Sequence, residues 1–217
     1  MKKFKLTSEF IVDISGVKLF RIKALIEFGN VKAGDLGGYI EKEENLSHMG
    51  DAWVSDDARI SGNAQVFGNA QVFGDAQVFG DAWVFGNARV SGNAQVFGNA
   101  RVFGNAWVSG NARVFGDAQV SGNARVFGNA RVFGNAQVFG DARVSGDKDY
   151  AYAHGFGSCN RTTTFFRLKD GDVGVRCGCF YGTLAQFRDK VCETHGETKK
   201  AQEYLMLADL MEIRFKN

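Results

Sequence analysis

Four residues near the C-terminus carry side chains of the types that bind zinc. Cys177 and Cys179 stand two apart, and Cys192 is followed three residues later by His195. The C-x-C spacing lacks the knuckle geometry of a C-x-x-C zinc site. Two cysteines two apart on a strand share one face, where free thiols pack as small apolar groups. We therefore predict buried free thiols, with no metal and no cofactor.

A second set of residues has the chemistry of binding rather than catalysis. Between residues 58 and 143 every basic residue is arginine, and these arginines recur beside Trp and Phe. Arg beside stacked aromatic rings binds nucleic-acid bases and phosphates. The same residue types also make up the cores of protein interfaces. A net charge of +2 is too small to indicate a nucleic-acid or membrane partner, so we favour a protein interface.

These aromatic residues stand in a repeat that fills the middle of the chain. The phrase V-[F/S]-G-[N/D]-A-x runs in fifteen copies from Val54 to Arg143, with Asp56 at one Gly position and Ile60 at one Val position. Period six, with a small residue two places before an aliphatic one, predicts a parallel β-helix. Because strand side chains alternate, Ala and Val point inward, while x and Phe or Ser point outward.

The period also predicts the shape of the array. Three hexads close one triangular coil, so the fifteen copies make five coils, about 24 Å long before the caps. Gly and Asn or Asp turn the corners, since these residues tolerate the left-handed backbone conformation. One corner row reads Asn63, Asp81, Asn99, Asp117 and Asn135. This alternation keeps carboxylates apart, which indicates a stabilising role rather than calcium binding.

Sorting the outward Phe or Ser position by coil separates three faces. The first is mostly polar and carries Ser55, Phe73, Ser91, Ser109, Phe127 and Ser145. The second carries Ser61, Phe79, Phe97, Phe115 and Phe133. The third carries Phe67, Phe85, Phe103, Ser121 and Phe139, and we place Trp53, Arg89, Trp107, Arg125 and Arg143 beside it in the other outward row.

Two faces therefore carry ladders of Phe. Large apolar side chains in rows on a solvent-facing surface need an explanation. Stacking of Phe on Phe along the ladder accounts for part of the pattern. If each of eight rings still exposes roughly 80 Å², the apolar surface is about 600 Å², the upper end for a monomer. We predict that the eight Phe and the Trp and Arg residues beside them form an interface. Its partner is another copy, the C-terminal unit folded back, or both.

The segments around the array predict two caps. We divide the chain into a β cap at 1–45, a β-helix at 46–147 and a ββαα unit at 148–217. Ser15-Gly16 joins two β-rich runs as a hairpin. In the last unit, residues 162–168 and 173–180 flank the turn Lys-Asp-Gly-Asp. Helices are predicted over 184–194, with Thr183 as N-cap, and over 198–215.

Composition favours a cytoplasmic protein. Glu9 and Asp13 interrupt the apolar run at the start, so we predict neither an export signal nor a transmembrane span. Four irregularly spaced cysteines in 217 residues fit reduced thiols better than a disulfide framework.

The repeats resemble the left-handed hexapeptide β-helix superfamily, and this resemblance implies the left hand. The stretch VKAGDLGGYIEKEENLSHMGDAWV, the GNARV hexads, VRCGCFYGTLAQF and THG are similar to uncharacterised bacterial and prophage hexapeptide-repeat proteins, some of which carry an acyltransferase label. The resemblance covers nearly the whole chain. It supplies no activity that can be assigned residue by residue.

Acyl transfer is therefore one alternative. Hexapeptide acyltransferases use a histidine base in a groove between subunits, but His48 precedes the array, and His154 and His195 follow it. Our leading prediction is a non-enzymatic β-helix scaffold or interaction module, of prophage origin, that self-associates or docks a host protein through its Phe ladders. An acyltransferase that uses His48 or His154 is the first alternative. A protein that binds or sequesters nucleotides or nucleic acid on the Arg/Trp/Phe face is the second.

Overall fold

The N-terminal segment forms an antiparallel cap that continues into the repeat. The computed structural model describes residues 2–158 and 160–216. The cap strands are Phe4–Val12 (β1), Lys18–Ala24 (β2) and Leu36–Ile40 (β3), followed by a short 3-10 helix at Glu43–Asn45. Strand β2 pairs antiparallel with both β1 and β3, and β3 pairs in parallel with the first repeat strand of its sheet. The predicted N-terminal hairpin is confirmed.

Sixteen two-residue strands form the repeat. They are Trp53–Val54 (β4), Arg59–Ile60 (β5), Gln65–Val66 (β6), Gln71–Val72 (β7), Gln77–Val78 (β8), Trp83–Val84 (β9), Arg89–Val90 (β10), Gln95–Val96 (β11), Arg101–Val102 (β12), Trp107–Val108 (β13), Arg113–Val114 (β14), Gln119–Val120 (β15), Arg125–Val126 (β16), Arg131–Val132 (β17), Gln137–Val138 (β18) and Arg143–Val144 (β19). They are shorter than the four-residue alternation predicted. The next residue still joins the ladder, since the Phe79 N–H donates to the Val96 carbonyl.

Three sheets run along the repeat, one for each side of the coil, and all of their repeat strands pair in parallel. Each strand pairs with the strand one coil further on, so that Gln77, Gln95 and Arg113 align. The six-stranded sheet is β4-β7-β10-β13-β16-β19, the five-stranded sheet is β6-β9-β12-β15-β18, and the eight-stranded sheet is β1-β2-β3-β5-β8-β11-β14-β17. The chain thus forms a parallel β-solenoid of about six turns. The predicted β-solenoid is confirmed, and its left hand stays a prediction.

Alanine and valine fill the solenoid. Their columns from Ala52 to Val144 are fully buried and form one continuous cluster. Phe4 and Ile22 close this cluster at one end, and Tyr150 and Phe166 close it at the other. The predicted inward columns are confirmed, with the Phe positions on the outside.

Glycine is required at the corners. Gly98 has a φ of +68°, and a Cβ there would lie 3.0 Å from the Gly116 nitrogen of the next coil. Where the sequence has Asp56 in place of Gly, that residue adopts a φ of +57°. Aspartate is one of the few residues that tolerate this region.

Backbone hydrogen bonds give the solenoid a direction. Each coil donates its N–H groups to the carbonyls of the following coil, as from Gln77 to Ala94 and from Phe97 to Val114. At the N-terminal edge no earlier repeat coil donates to the carbonyl groups of the first coil, and on one side the N–H groups of β3 do so instead, as from Tyr39 to Ala58. The last coil presents unpaired N–H groups at the C-terminal edge.

Donors cover the carbonyl edge. Lys3 Nζ donates to the carbonyls of Ala52 (2.7 Å) and Gly50 (3.2 Å). Asn45 Nδ2 donates to the next two corner carbonyls, those of Ala64 (2.9 Å) and Gly62 (3.1 Å). Both side chains are buried. Burial lowers the pKa of Lys3 to about 8, against the opposing influence of Asp51.

Acceptors cover the N–H edge. Asp147 Oδ1 accepts from the Arg131 N–H at 2.9 Å, and Asp149 Oδ2 accepts from the Ser145 N–H at 2.9 Å. Thr164 Oγ1 accepts from the N–H of Gln137 at 2.9 Å. The 3-10 helix Asp147–Asp149 holds both carboxylates in place.

The C-terminal unit has four strands rather than the two predicted. Its elements are Tyr150–Phe156 (β20), Arg161–Arg167 (β21), Val173–Cys177 (β22), Phe180–Thr183 (β23), Leu184–His195 (α1) and Lys199–Phe215 (α2). The ββαα prediction missed β20 and β23 but placed the hairpin β21–β22 and both helices. Thr183 caps α1 as predicted, accepting from the Gln186 N–H.

The unit sits on the end of the solenoid and has its own small core. Strand β21 contacts β18 and β19, the last two solenoid strands. The helices pack on the four-stranded sheet around Phe165, Phe187 and Tyr204. Of the described helices, neither is long and apolar enough to cross a membrane.

Candidate functional site: the phenylalanine ladders

The eight-stranded sheet carries one uninterrupted ladder of rings, which we call the long ladder. It consists of Phe79, Phe97, Phe115 and Phe133, one in each of four consecutive coils. The centroids of Phe79, Phe97 and Phe115 are 4.8 and 4.9 Å apart, with interplanar angles of 2°. Phe133 follows at 5.3 Å and 13°. Because the spacing equals the strand spacing, every ring shares its faces with its neighbours and turns an edge outward.

The five-stranded sheet carries a short ladder of three rings. Phe67, Phe85 and Phe103 stack at 4.9 Å with interplanar angles of 3°. Ser121 interrupts the column. Phe139, which we placed on the same face, lies beyond this gap and packs against Tyr181 at 5.0 Å instead.

The two ends of the long ladder meet the caps. Tyr150 and Tyr152 pack edge-on against Phe133 at 6.4 and 5.9 Å. Burial raises the pKa of the Tyr150 hydroxyl, with a smaller contribution from Asp147. At the other end, the tip of the β1–β2 hairpin borders a cavity of about 300 Å³ together with Phe79. Among the described residues, the C-terminal unit meets the long ladder at Phe133, its last ring.

Stacking covers more of the rings than the sequence argument assumed. Of the eight Phe predicted at the interface, Phe133 is the most exposed at 39%, and the others are half-buried. Each ring therefore offers a strip of edge rather than a face. The interface role of these eight residues stays a prediction.

The Trp and Arg row lies on a different sheet from the one we assigned. Trp53, Arg89, Trp107, Arg125 and Arg143 belong to the six-stranded sheet, whose outward slot is mostly Ser. Trp107 Nε1 donates to Ser91 Oγ at 3.0 Å, and Arg125 lies 5.5 Å over the Trp107 ring. Trp53 is buried against Phe28. These residues do not flank the short ladder, because a corner separates them from it.

The aromatic neighbour of the short ladder is Trp83, which we did not single out. It is 38% exposed and meets Phe67 edge-on at 6.1 Å. Arg101 lies 5.0 Å over its ring. Trp83 precedes Phe85 by two residues on the same side of the coil, so the strand alternation alone would have placed it there.

Side-chain hydrogen bonds tie the corners together. Asn63 Nδ2 donates to Asp81 Oδ1 at 3.1 Å, and Asn99 Nδ2 donates to Asp117 Oδ1 at 3.0 Å. Another corner carries a continuous run of such bonds, from Asn69 through Asn87, Asn105 and Asn123 to Asp141. The Asn and Asp rows therefore stabilise the stacked coils.

A comparison with known families supports the repeat architecture. A family model described as the YdcK beta solenoid repeat matches residues 94–110, 106–122, 118–134 and 124–138. No curated protein matches the chain. The similarity concerns the central coils and includes Phe97, Phe115 and Phe133 of the long ladder. It carries no activity to this chain.

The three histidines lie on separate elements of the chain. His48 stacks on Phe4 at 4.3 Å, and its Nδ1 accepts from the Lys3 N–H at 3.2 Å, so it holds the N-terminal strand. His154 lies on β20 beside Thr162. His195 ends α1 near the Tyr204 ring. Of the two candidate bases for acyl transfer, His48 lines a cavity of about 570 Å³ together with Phe67, the first ring of the short ladder, and Trp83.

Three of the four zinc candidates line one cavity of about 200 Å³ in the C-terminal unit. These are Cys177, Cys179 and His195, while Cys192 is exposed on α1. Cys177 is half-buried, and Thr163 Oγ1 donates to its Sγ at 3.2 Å. The prediction of buried thiols is wrong for Cys179 and Cys192, which are exposed, and Cys177 is only half-buried. Across the described residues, no three His, Cys, Asp or Glu side chains are grouped to hold a metal ion.

Proposed function

We propose that this protein is a non-enzymatic β-solenoid scaffold that assembles with itself through its phenylalanine ladders. The observation that carries the proposal is the long ladder. Four stacked rings cross four coils on one side of the solenoid, and the caps meet this ladder at its two end rings, Phe79 and Phe133. A row of apolar ring edges on an outer sheet gains free energy when a second apolar surface covers it.

The capped ends support association at the sides. Open solenoid ends would present backbone groups for end-to-end stacking. Here Lys3 and Asn45 occupy one edge, and Asp147, Asp149 and Thr164 occupy the other. The faces remain for contact, and the long ladder is the most continuous apolar feature among them.

The test is a double substitution in the middle of the long ladder. Phe97→Ser with Phe115→Ser should leave the coils folded, because Ser already occupies the same slot at Ser61, Ser91, Ser109 and Ser121. Each Phe fully buried across a contact contributes on the order of 2 kcal/mol before the cost of association. Light scattering should give the wild-type protein a multiple of the chain mass and the variant the mass of one chain.

The polar face supplies the matched control. Phe73→Ser with Phe127→Ser removes the same number of rings from the six-stranded sheet and should leave the mass of the assembly unchanged. A wild-type protein that is monomeric at every concentration would reject the proposal. So would a Phe97/Phe115 variant that keeps the wild-type mass, since stacking within the ladder would then be its whole role.

A further inference from the structure

We infer that the outward face of helix α2 binds the same face of a second copy, as an antiparallel helix pair about a two-fold axis. This face consists of Met206, Leu210 and Ile213, and we call it the outer stripe. It belongs to the C-terminal unit and includes no ladder residue. The contact therefore goes beyond the function proposed above and does not depend on it.

Apolar side chains lie on two opposite faces of α2. The inner face is buried in the core of the C-terminal unit and consists of Ala201, Tyr204, Ala208, Met211 and Phe215. In the outer stripe the residues follow one another at spacings of four and three, which puts them on one side of the helix. Met206, Leu210 and Ile213 are 71, 55 and 70% exposed. A helix on the surface of a single chain needs only one apolar face, so the second face indicates a contact outside the chain.

Opposite charges stand at the two ends of one flank of the outer stripe. Glu203 precedes Arg214 by 11 residues, which is about three helical turns, so both side chains lie on the same flank. They are about 16 Å apart along the helix axis and cannot pair within one chain. Neither takes part in a salt bridge within residues 2–158 and 160–216. Their charges are therefore available for a contact between copies.

Backbone groups beside α2 hold these two side chains on their flank. Glu203 Oε2 accepts from the Gly157 N–H at 2.8 Å, and Arg214 Nη2 donates to the Asp147 carbonyl at 3.1 Å. Each side chain is thus oriented before a second copy arrives, which reduces the entropy lost on association.

The antiparallel pair brings opposite ends of the same flank together. Its two-fold axis lies in the contact plane and crosses both helices, so each flank lies on the same flank of the second copy with its ends exchanged. Glu203 then faces Arg214 of the second copy, and by symmetry this ion pair occurs twice. Met206 comes to lie between Leu210 and Ile213 of the second copy. The outer stripe is therefore complementary to itself in both charge and spacing.

The other flank carries Asp209 and Lys216. In the antiparallel pair Lys216 faces Gln202 of the second copy, and the two Asp209 side chains approach each other near the axis. Arg188 of α1 lies 2.7 Å from the Asp209 carboxylate in each copy. Two guanidinium groups therefore accompany the two carboxylates, and this flank does not oppose the contact.

A parallel pair would bring like charges together. Its axis runs along the helices, so residues of equal number meet and each flank faces the opposite flank. Lys199, which lies seven residues before Met206 on the same side of the helix, would face Lys199 of the second copy. Arg214 would face Lys216. The charges along α2 therefore favour the antiparallel direction.

A membrane surface is the other kind of surface that covers an apolar helix face. Helices that lie in a membrane interface are rich in Lys and Arg on their polar side, where they meet anionic head groups. Here the acidic residues Glu203 and Asp209 border the outer stripe directly. They would be repelled by anionic lipid, so the outer stripe suits a second copy better than a membrane.

The contact is small, with three apolar side chains from each copy. We expect a dissociation constant on the order of 100 µM, which belongs to the weak class of specific protein contacts. At micromolar concentrations the helix pair is therefore mostly dissociated, so it does not alter the light-scattering test of the ladders.

Methionine methyl resonances test the contact in the wild-type protein. The methyl signal of Met206 should shift as the protein concentration rises through the dissociation constant. Met49 is the internal control, because it is as exposed as Met206 but lies at the opposite end of the molecule, before β4. Leu210→Glu places a carboxylate in the outer stripe and should abolish the Met206 shift, with circular dichroism to check the fold. A Met206 signal that stays constant up to about 1 mM would overturn the inference.

Charge exchange tests the direction of the pair. Glu203→Arg should raise the dissociation constant at least about fivefold, because two like-charge contacts replace two ion pairs, and Arg214→Glu should do the same. The double variant Glu203→Arg/Arg214→Glu should return to within about threefold of wild type. Lys216→Glu is the matched control at the same end of α2, and it should change the dissociation constant less than about twofold. Tighter binding of Lys216→Glu, or no rescue in the double variant, would overturn the antiparallel direction.

Two further measurements separate this contact from its alternatives. The Phe97→Ser/Phe115→Ser variant should show the same Met206 shift as wild type, because the helix pair does not use the ladders. Failure of the ladder proposal would therefore leave this result unchanged. The wild-type protein should stay in the supernatant when vesicles that contain phosphatidylserine are pelleted. Pelleting of the wild type but not of Leu210→Glu would assign the outer stripe to a membrane and overturn the inference.

Discussion

The two ends of the solenoid are closed by opposite chemistry. At the N-terminal edge a lysine and an asparagine donate to backbone carbonyls, and at the C-terminal edge two aspartates and a threonine accept from backbone N–H groups. The difference follows from the parallel sheets, in which every coil donates in the same direction. The caps therefore cannot be exchanged, because each matches the polarity of the edge that it covers.

The largest effect is expected from placing an acceptor at the carbonyl edge. Asn45→Asp brings a carboxylate to the carbonyls of Gly62 and Ala64, where the amide now donates. The site is buried, so we expect a loss of about 4 kcal/mol in the free energy of unfolding at pH 7. Repulsion raises the folded-state pKa of this carboxyl. Stability should therefore recover as pH falls toward 5, which urea unfolding at the two pH values would measure.

Asn45→Ala is the control for that substitution. It removes the donor without adding a charge, so its loss should be about 2 kcal/mol and independent of pH. Equal losses for the two variants at pH 7 would contradict the polarity argument.

Removing an acceptor from the N–H edge should rank second. Asp149→Ala leaves the Ser145 N–H unpaired and removes the carboxylate that lies 3.8 Å from Arg167 Nε. We expect a loss of about 3 kcal/mol, measured from the midpoint of chemical unfolding. Asp149→Asn keeps one acceptor oxygen and should lose about 1 kcal/mol. A larger loss for Asn than for Ala would count against the role assigned to Asp149.

A pH dependence should mark the lysine at the carbonyl edge. The pKa of Lys3 is about 8 in the folded protein and 10.5 as the ordinary value. Between these values the unfolded chain binds more protons, so stability should rise with pH by about 1 to 2 kcal/mol from pH 8 to 9.5. Lys3→Met should lack this rise. If the free energy of unfolding changes with pH in the same way in the wild type and in Lys3→Met, the pKa of Lys3 is not lowered in the folded protein.

The smallest loss of stability is expected from removing an uncharged acceptor at the N–H edge. Thr164→Val keeps the shape of a fully buried side chain but removes the oxygen that accepts from the Gln137 N–H. The loss should be about 1 kcal/mol, with faster amide exchange at Gln137 as the specific readout. Thr163→Val, a change of the same kind one residue away, should leave that exchange rate as it is.

The interior could be read from the sequence, because a single rule applies at every turn. Val, Ala and Gly recur with period six, and alternation along the strand then fixes which side chains point inward. The same rule placed Phe97 and Phe115 on the outside. It failed only where we followed the chain around a corner, which put Trp107 beside the wrong ladder and overlooked Trp83.

The sequence predicted where the two caps lie along the chain, but not which of their side chains pair with the backbone groups at the edges of the solenoid. Lys3 and Asn45 lie 42 residues apart in the sequence, with no pattern to show that both reach the same edge. Strand β20 contains Gly155, which lies in a register shift between Ala153 and Phe156, and the pairing with β21 resumes beyond it at Phe156. These features depend on contacts between residues far apart in the sequence, and a single sequence does not show such contacts.

Residues 18 apart stack on one another, so the number of coils sets the distance between the two caps. Adding or deleting one coil would change the separation of the two caps by about 4.8 Å and keep their relative orientation. Adding or deleting a single hexad would instead turn one cap by one side of the triangle relative to the other. Only the addition or removal of whole coils therefore preserves the relative orientation of the two caps. The distance between the caps can then change only by multiples of the coil spacing.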